Sequence, residues 1–334
     1  LIGIFDLGDR LLSDLAGKIL TILADRGFHS GSELGSALGV SRTAIWKQLQ
    51  KLEAMGLQLE SVKGTGYRLP PDFELLSQSG ILSQLSVTPS SLRIFQTLDS
   101  TNRYLRDQAE SEPVSGSVVF AETQTSGRGR RGKTWISPFG SNIYLSILWN
   151  FEQGAQALEG LSLGVGVAVK RALTDAGLEN VKLKWPNDIY VGHKKLGGIL
   201  LEMVGDPAGH CSVIVGVGIN VSMPRRAAAD IDQAWTDVKT EAGTAISRNQ
   251  LAGALVDNIF PLLADFQSVG FAPYRDEWQA ADAFQGSVAT VTTAREAVSG
   301  TVLGVNATGA LEMRMDSGEV RRFIGGELSL RLKQ

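Results

Sequence analysis

Apolar residues at helical spacing open the chain. Leu15, Ile19, Ile22 and Leu23 recur on one face of a helix that Gly27 ends. Ser30-Gly31-Ser32-Glu33 has the form of a capping box and predicts a second helix with Leu34 and Leu38 inward. Gly39 breaks that helix, and Ser41 caps a third that carries Ile45, Leu49 and Leu52. The pattern then changes to Leu57–Val62, a glycine turn at Lys63-Gly64-Thr65-Gly66, and a second extended stretch ending at Leu69. Two short helices across a Gly-containing turn, followed by a two-stranded wing, predict a winged helix-turn-helix over residues 1–70. Pro70-Pro71 cannot continue a strand ladder and closes the module.

Leu75, Leu76, Ile81, Leu82 and Leu85 predict a connecting helix within residues 72–91. Leu92–Phe95 is a short strand, and a helix starts near Ser100-Thr101-Asn102. Ser117–Glu122 and Asn142–Trp149 read as strands, and Leu161–Ala176 as a long apolar helix. Three more strands lie in Val181–Val191, Lys194–Glu202 and Ser212–Val221, joined by short turns. Short turns predict a mixed or antiparallel sheet with helices on one face, over residues 71–284. Leu251–Gly270 and Pro273–Phe284 complete it as helices. From Ser287 onward, short strands with turns at Ser299-Gly300, Asn306–Gly309 and Asp316–Gly318 predict a small SH3-like barrel over residues 285–334. The class is α+β.

Composition narrows the function. The chain of 334 residues has 43% apolar and 20% charged residues, which suits folded domains rather than disorder. A net charge of −3 removes any global polycation signature, so an anion site has to be local. A single cysteine, Cys211, excludes an internal disulfide and a cysteine zinc site, and fits a reducing cytoplasm. No apolar run is long enough to span a bilayer, and Asp6 and Asp9 interrupt the N-terminal apolar residues, so neither a membrane partner nor a secretory signal is expected.

Positive charge is concentrated in two places. The third helix presents Ser41, Arg42, Thr43, Lys47, Gln48 and Lys51, and the wing adds Lys63 and Arg68. Five cations face two acids between Ser41 and Arg68, leaving +3 on the elements that would enter a major groove. Over residues 1–70 the balance is only eight against seven, so a lone head should bind DNA weakly and a dimer would supply the rest. A protein-contact role for the winged helix stays open at this point. The second concentration is Gly127-Arg128-Gly129-Arg130-Arg131-Gly132-Lys133-Thr134-Trp135, four cations and three glycines with no acid from Thr123 to Ile143. Glycine lets successive N–H groups face inward around an anion, and arginine forks match carboxylate or phosphate oxygens in pairs. The loop suits a polyanionic small molecule. A solvated basic loop or an RGG-like tract is the alternative.

These motifs stand in a telling order. Asp99-Ser-Thr-Asn, the Gly-Arg-Gly-Arg-Arg-Gly loop, Lys184-Trp-Pro-Asn-Asp, Lys195-Leu-Gly-Gly-Ile-Leu and Gly218-Ile-Asn together resemble the biotin–protein ligases. With the winged helix in front, the chain resembles their bifunctional form, the biotin operon repressors, from about residue 15 to 332. The resemblance implies a class II synthetase-like ligase fold and a two-step reaction. Biotin and ATP give biotinyl-5′-adenylate, whose acyl group passes to a lysine of the biotin carboxyl carrier domain of acetyl-CoA carboxylase. It further implies Mg²⁺ with the ATP, operator DNA as a partner, and a homodimer when the adenylate is bound.

Site roles follow by the same resemblance. Ser100, Thr101, Asn102 and Gln124 would supply donors and acceptors for the ureido ring, and Gly216 would let the backbone approach it. Arg128, Gly129 and Arg130 would hold the carboxylate and α-phosphate, with Lys195 beside them. Arg131, Asn187, Asn220 and Trp235 would serve the nucleotide, Trp235 by covering adenine. Asp188 would orient Mg²⁺ with Asn220 or accept a proton from the carrier lysine. Cap residues, an exposed hairpin lysine and a surface tryptophan are the plain readings of Ser100–Asn102, Lys195 and Trp235. The chain departs from the bifunctional pattern at Lys133-Thr134-Trp135, where Arg-Lys-Trp is common, so one charge that could retain the adenylate is missing. Arg321, Arg322 and Arg331 read as solvated. A ligand sensor without catalysis and a lipoate ligase are the competing functions. The intact cations oppose the first, and the complete loop with its winged helix opposes the second.

Overall fold

The computed structural model describes residues 14–57, 59–154, 158–206, 209–293, 296–325 and 329–332. Asp6, Asp9 and Gln58, on which parts of the sequence analysis rest, lie outside the described residues. The N-terminal unit contains α1 (Asp14–Leu23), α2 (Gly31–Leu38), α3 (Arg42–Ala54), β1 (Glu60–Val62) and β2 (Gly66–Arg68). Ser30 and Glu33 form the capping box reciprocally, and Ser41 Oγ accepts from Ala44 N at 3.2 Å to start α3. Ile19, Leu23, Leu34, Ile45, Leu49 and Leu52 are fully buried between the three helices, as the spacing predicts. β1 and β2 pair antiparallel as the wing.

The predicted connecting helix is shorter than its apolar pattern. Only α4 (Gln78–Leu82) forms, because the backbone before it is committed elsewhere. Leu76 N donates to Glu122 Oε1 at 2.6 Å, and Glu74 accepts from the first amides of α8 (Arg248–Val269). Arg248 closes this joint. Its Nη1 lies 2.8 Å from Glu122 Oε2, with both side chains 5% exposed or less, and its other donors reach Asn142 O and Glu74 O. Such a buried pair stands only where hydrogen bonds satisfy the remaining donors. Phe139, from the central unit, completes the apolar core of the N-terminal one.

The central unit is a seven-stranded mixed sheet in the order β3-β4-β5-β9-β8-β7-β6. The strands are β3 (Ser91–Phe95), β4 (Ser117–Ala121), β5 (Ile143–Phe151), β6 (Val181–Lys184), β7 (Asp188–Val191), β8 (Lys194–Gly205) and β9 (Cys211–Ile219). Only β3 and β4 run parallel. Side chains alternate across a sheet, and the alternation assigns its two faces. Phe120, Leu145, Ile147, Val215, Val217 and Ile199 pack into the main core beneath α6 (Leu161–Asp175) and α8. Val119, Leu148 and Ile214 face the other way, onto α5 (Thr101–Ser111). Helices therefore flank both faces, not the one expected. β4 carries no polar alternation because both of its faces are covered.

This opposite face positions the site. α5 covers only part of it, and beyond the α5 N-terminus the floor is Tyr144 and Ser146 of β5, Gly216 and Gly218 of β9, and Gly198 and Leu200 of β8. Ser146 pairs with Gly216, which pairs with Leu200, and Tyr144 pairs with Gly218, which pairs with Gly198. Glycines in two adjacent rows leave a slot where side chains would otherwise fill the sheet surface.

The C-terminal unit is a five-stranded antiparallel sheet ordered β13-β12-β11-β10-β14. Its strands are β10 (Val288–Thr292), β11 (Ala297–Val305), β12 (Leu311–Arg314), β13 (Val320–Phe323) and β14 (Ser329–Leu332). Along the chain α7 (Val238–Ala242), α8 and α9 (Arg275–Ala280) stand between β9 and β10, and α9 packs on α6 and β11. Trp185 Nε1 donates to Gly309 O at 3.1 Å and ties the two units together beside the slot.

Candidate active site and DNA-facing helix

One cleft of about 210 Å³ gathers Ser100, Thr101, Asn102, Gln124, Arg128, Gly129, Arg130, Arg131, Asn187, Asp188, Lys195 and Gly216. Asn220 and Trp235 lie in an adjoining cleft that shares Lys133, Trp135 and Lys195 with the first. The DNA-facing candidates sit apart, on the N-terminal unit.

At the inner end of the slot the polar groups are buried and tied to one another. Ser100 caps α5, and Ser100, Thr101 and Asn102 are each no more than 4% exposed. Gln124 Oε1 accepts from Thr101 N at 2.9 Å, and Gln124 Nε2 donates to Ser137 Oγ at 3.1 Å. Ser146 Oγ lies 2.7 Å from Thr101 Oγ1 and 2.6 Å from Asn102 Oδ1. Asn102 Nδ2 donates to Glu202 Oε2 at 2.9 Å. The three hydroxyl and amide groups are thus more than helix caps. A Cβ on Gly216 would stand 2.2 Å from Asn102 Oδ1, so only glycine admits this packing.

The outer wall is cationic. The basic loop folds as a tight hairpin. Arg128 bridges Thr134, Gly129 N donates to Lys133 O at 2.7 Å, and Trp135 N donates to Gly127 O at 2.9 Å. At its tip Arg131 and Gly132 take left-handed φ of 57° and 70°. Arg128 Nη1 meets Glu202 Oε1 at 2.9 Å, and Arg130 Nη1 donates to Asn187 Oδ1 at 2.9 Å. Burial pulls the Arg130 guanidinium below its ordinary range, with Asp188 opposing that effect. Trp135 lies against Gly218, and its buried indole Nε1 has no hydrogen-bond partner among the described residues.

Lys195 Nζ is 2.6 Å from Asp188 Oδ1 and 5.5 Å from the Trp135 ring centroid. Lys195 is 15% exposed, and so is not a free hairpin lysine. Lys184 Nζ stands 3.7 Å from Asp188 Oδ2 and 3.2 Å from Tyr190 Oη. Burial lowers the Lys184 ammonium below the usual lysine range, and Asp188 raises it in part. Two ammonium groups therefore flank Asp188. Among the described residues no cluster of three His, Cys, Asp or Glu groups could hold a metal ion. Asp188 and Asn220 do not fit a resident metal site, since one carboxylate already carries two cations. Asn220 Nδ2 donates to Thr236 O, and its buried Oδ1 has no hydrogen-bond partner among the described residues. Trp235 is half-buried where residues 234–236 pair with the start of β8.

Several contributors to the cleft are not marked by residue spacing. Ser146 and Tyr144 reach the site only through the pairing of β5 with β9, which no local pattern reveals, whereas Gly218 and Leu200 stand within quoted motifs that give them no role. Lys184 was within reach, as the first residue of its motif. Arg331 corrects the expectation of a purely solvated arginine: it is exposed yet lines the cleft from β14. Arg321 and Arg322 instead pair with Glu296 and Glu312.

On the N-terminal unit, α3 exposes Arg42, Thr43 and Lys47, with Lys63 on the wing. Ser41 Oγ is engaged as the cap, and Gln48 is half-buried. Trp46, 51% exposed, stands between these groups and was also missed.

A slot with a polar inner end and a cationic outer wall, attached to a winged helix, defines a ligase joined to a DNA-binding head. Comparison with known proteins agrees. Residues 94–220 match the Biotin/lipoate A/B protein ligase family, and residues 16–68 match an HTH domain. The chain is 40% identical over 314 residues to the Bifunctional ligase/repressor BirA of Escherichia coli, covering 94% of this chain and 96% of that protein. The protein of the same description from Bacillus subtilis is 29% identical over 95% and 99% of the two chains. Among solved structures, the biotin protein ligase from Aquifex aeolicus in complex with biotin and ATP superposes with a TM-score of 0.64 and 28% identity, over 73% of this chain and 100% of that one. The chain belongs to the family of bifunctional biotin–protein ligases and repressors.

Proposed function

We propose that the cleft joins biotin to ATP and passes the biotinyl group to a carrier-protein lysine. The supporting observation is the single slot in which buried hydroxyl and amide groups at one end meet Arg128, Arg130 and Lys195 at the other. Thr101, Asn102 and Gln124 frame the ureido ring, with Ser146 holding the first two. The valeryl chain runs outward over Gly216 and Leu200. Its carboxylate oxygen attacks the α-phosphorus of ATP, and pyrophosphate leaves. Arg128, Arg130 and Lys195 stabilise the charge that builds on the phosphate oxygens. Asp188 fixes Lys195 for that task. Magnesium arrives with the nucleotide, largely hydrated, as part of the substrate. Arg131, Asn187, Asn220 and Trp235 complete the nucleotide side.

In the second step the amine of a lysine on the biotin carboxyl carrier domain of acetyl-CoA carboxylase attacks the acyl carbon. AMP leaves with the bridging oxygen, and the amine proton passes to Asp188 or to water. The head reads operator DNA through Arg42, Thr43, Lys47, Gln48 and Lys63, with Ser41 at the cap. The adenylate favours a homodimer that presents two heads, and by linkage operator DNA tightens adenylate binding by the same factor. The setting is cytoplasmic, and among the described residues no helix is long and apolar enough to cross a membrane.

The test is transfer of labelled biotin to a purified carrier domain with ATP and Mg²⁺, beside the double variant Arg128→Ala, Lys195→Ala. Transfer by the wild type and loss in the variant supports the ligase. Biotin binding without transfer by either protein would favour a sensor instead.

A further inference from the structure

Glu202 touches both ends of the slot. It lies on β8, facing the same way as Gly198 and Leu200, with its side chain 15% exposed. Oε2 accepts from Asn102 Nδ2 at 2.9 Å, and Oε1 meets Arg128 Nη1 at 2.9 Å. Asn102 is itself fixed, 4% exposed, against Ser146 and the bare face of Gly216. A continuous chain thus runs from Ser146 through Asn102 and Glu202 to Arg128, with the rigid end buried and the far end 43% exposed. An ion pair between two exposed side chains contributes little. Here the carboxylate is held by a buried amide, so the guanidinium is pinned to the sheet rather than to another flexible group.

We propose that Glu202 is a positioning residue that holds Arg128 across the slot, so that the basic loop retains the adenylate until transfer. This rests on the ligase reading above. One Glu oxygen occupies one face of the guanidinium fork. The remaining N–H donors of Arg128 stay available to a carboxylate or phosphate. Because the loop carries Lys133-Thr134 before Trp135, it has few cations to spare, and the anchor on Arg128 carries more of the retention.

The experiment measures three quantities for the wild type, Glu202→Gln, Glu202→Asp, Arg128→Ala and the double variant Arg128→Ala, Glu202→Gln. They are the single-turnover rate of adenylate formation, the release rate of preformed biotinyl-5′-adenylate, and non-specific labelling of serum albumin. Glu202→Gln keeps an oxygen for Asn102 but loses the charge toward Arg128. Release and albumin labelling should rise roughly tenfold, as expected for loss of a charge-assisted bond. Biotin affinity without ATP should stay near wild type, and Glu202→Asp, which keeps the charge, should recover part of the retention. The double variant should release no faster than Arg128→Ala alone. Release at the wild-type rate in Glu202→Gln overturns the proposal. So does an equal acceleration in the Arg128→Ala background, which would mark Glu202 as merely structural. If the wild type forms no adenylate at all, the ligase reading fails first and the proposal with it.

Discussion

The two ends of the slot are built on opposite plans. At the inner end the polar groups sit on β5, at the start of α5 or, for Gln124, on a bridge to Leu98 just after β4, and are bound by neighbours before any substrate is considered. Ser146 is fully buried, and Thr101 and Asn102 are nearly so. At the outer end the cations stand on a hairpin whose tip holds two left-handed residues, and Arg128 is 43% exposed. Recognition of a neutral ring needs donors and acceptors fixed to a fraction of an ångström. Charge that develops during phosphoryl displacement is met by cations that single ion pairs hold in place, Lys195 by Asp188 and Arg128 by Glu202. On the proposed function, specificity and catalysis fall to separate parts of one cleft, a division that can be broken by substitutions that should divide along that line.

The largest effect is expected from Lys195→Ala. It removes the cation to which the proposed function gives the phosphate oxygens and leaves Asp188 without its 2.6 Å partner. Adenylate formation should fall by about 10²–10³-fold, while biotin affinity in a binding titration changes little. An equal loss of biotin affinity would show that the two ends are not separable. Next is Gly216→Ala. Its methyl would meet Asn102 Oδ1 at 2.2 Å in a site with no room to relax. Overpacking of this kind costs about 2–3 kcal/mol, so the biotin dissociation constant should rise roughly 30–150-fold, with the KM for ATP almost unchanged.

The pH dependence sharpens the same division. Burial holds the Lys184 ammonium below the usual lysine range, so it loses its proton earlier than an exposed lysine as pH rises. The inner end carries no group that titrates there. Lys184 flanks Asp188, which holds Lys195, so adenylate formation should decline several-fold on the alkaline side, at a lower pH than an exposed lysine would set, while biotin binding stays level. Lys184→Gln should flatten that limb, and a limb unchanged in the variant would assign it to another group.

Much of this was legible in the residues because the informative types are unusual where they stand. Four cations among three glycines have no structural excuse, and Trp-Pro-Asn-Asp between two strands is equally conspicuous. The architecture of the winged helix followed from caps and spacing that act locally. What stayed hidden depends on pairing across the sheet. Val118, Val119 and Phe120 form an unbroken apolar run, the mark of a strand covered on both faces, but the run does not reveal that α5 is what covers the second one. Ser146 reads as one hydroxyl in an apolar strand until β9 sets Gly216 beside it. The helix expected around residues 72–91 shrinks to α4 because Glu122 and Arg248, distant in sequence, claim the backbone before it.

The smallest effect closes the comparison with a matched substitution, Gly132→Ala. Like Gly216→Ala it adds a single methyl to a glycine lining this region, but the surroundings differ. A Cβ at Gly132 meets no atom within 4 Å, and the only cost is its φ of 70°. A left-handed alanine costs about 1 kcal/mol, which should reduce adenylate formation by roughly fivefold and leave biotin affinity untouched. Arg131, already left-handed at 57°, shows that the tip tolerates a side chain in this conformation. The same methyl should thus act through sterics at the inner end and through backbone preference at the outer one. Measuring both variants for biotin binding and for adenylate formation separates those causes. Parallel losses in both assays would show instead that the hairpin and the sheet floor move as one body, and the division of labour between them would fall.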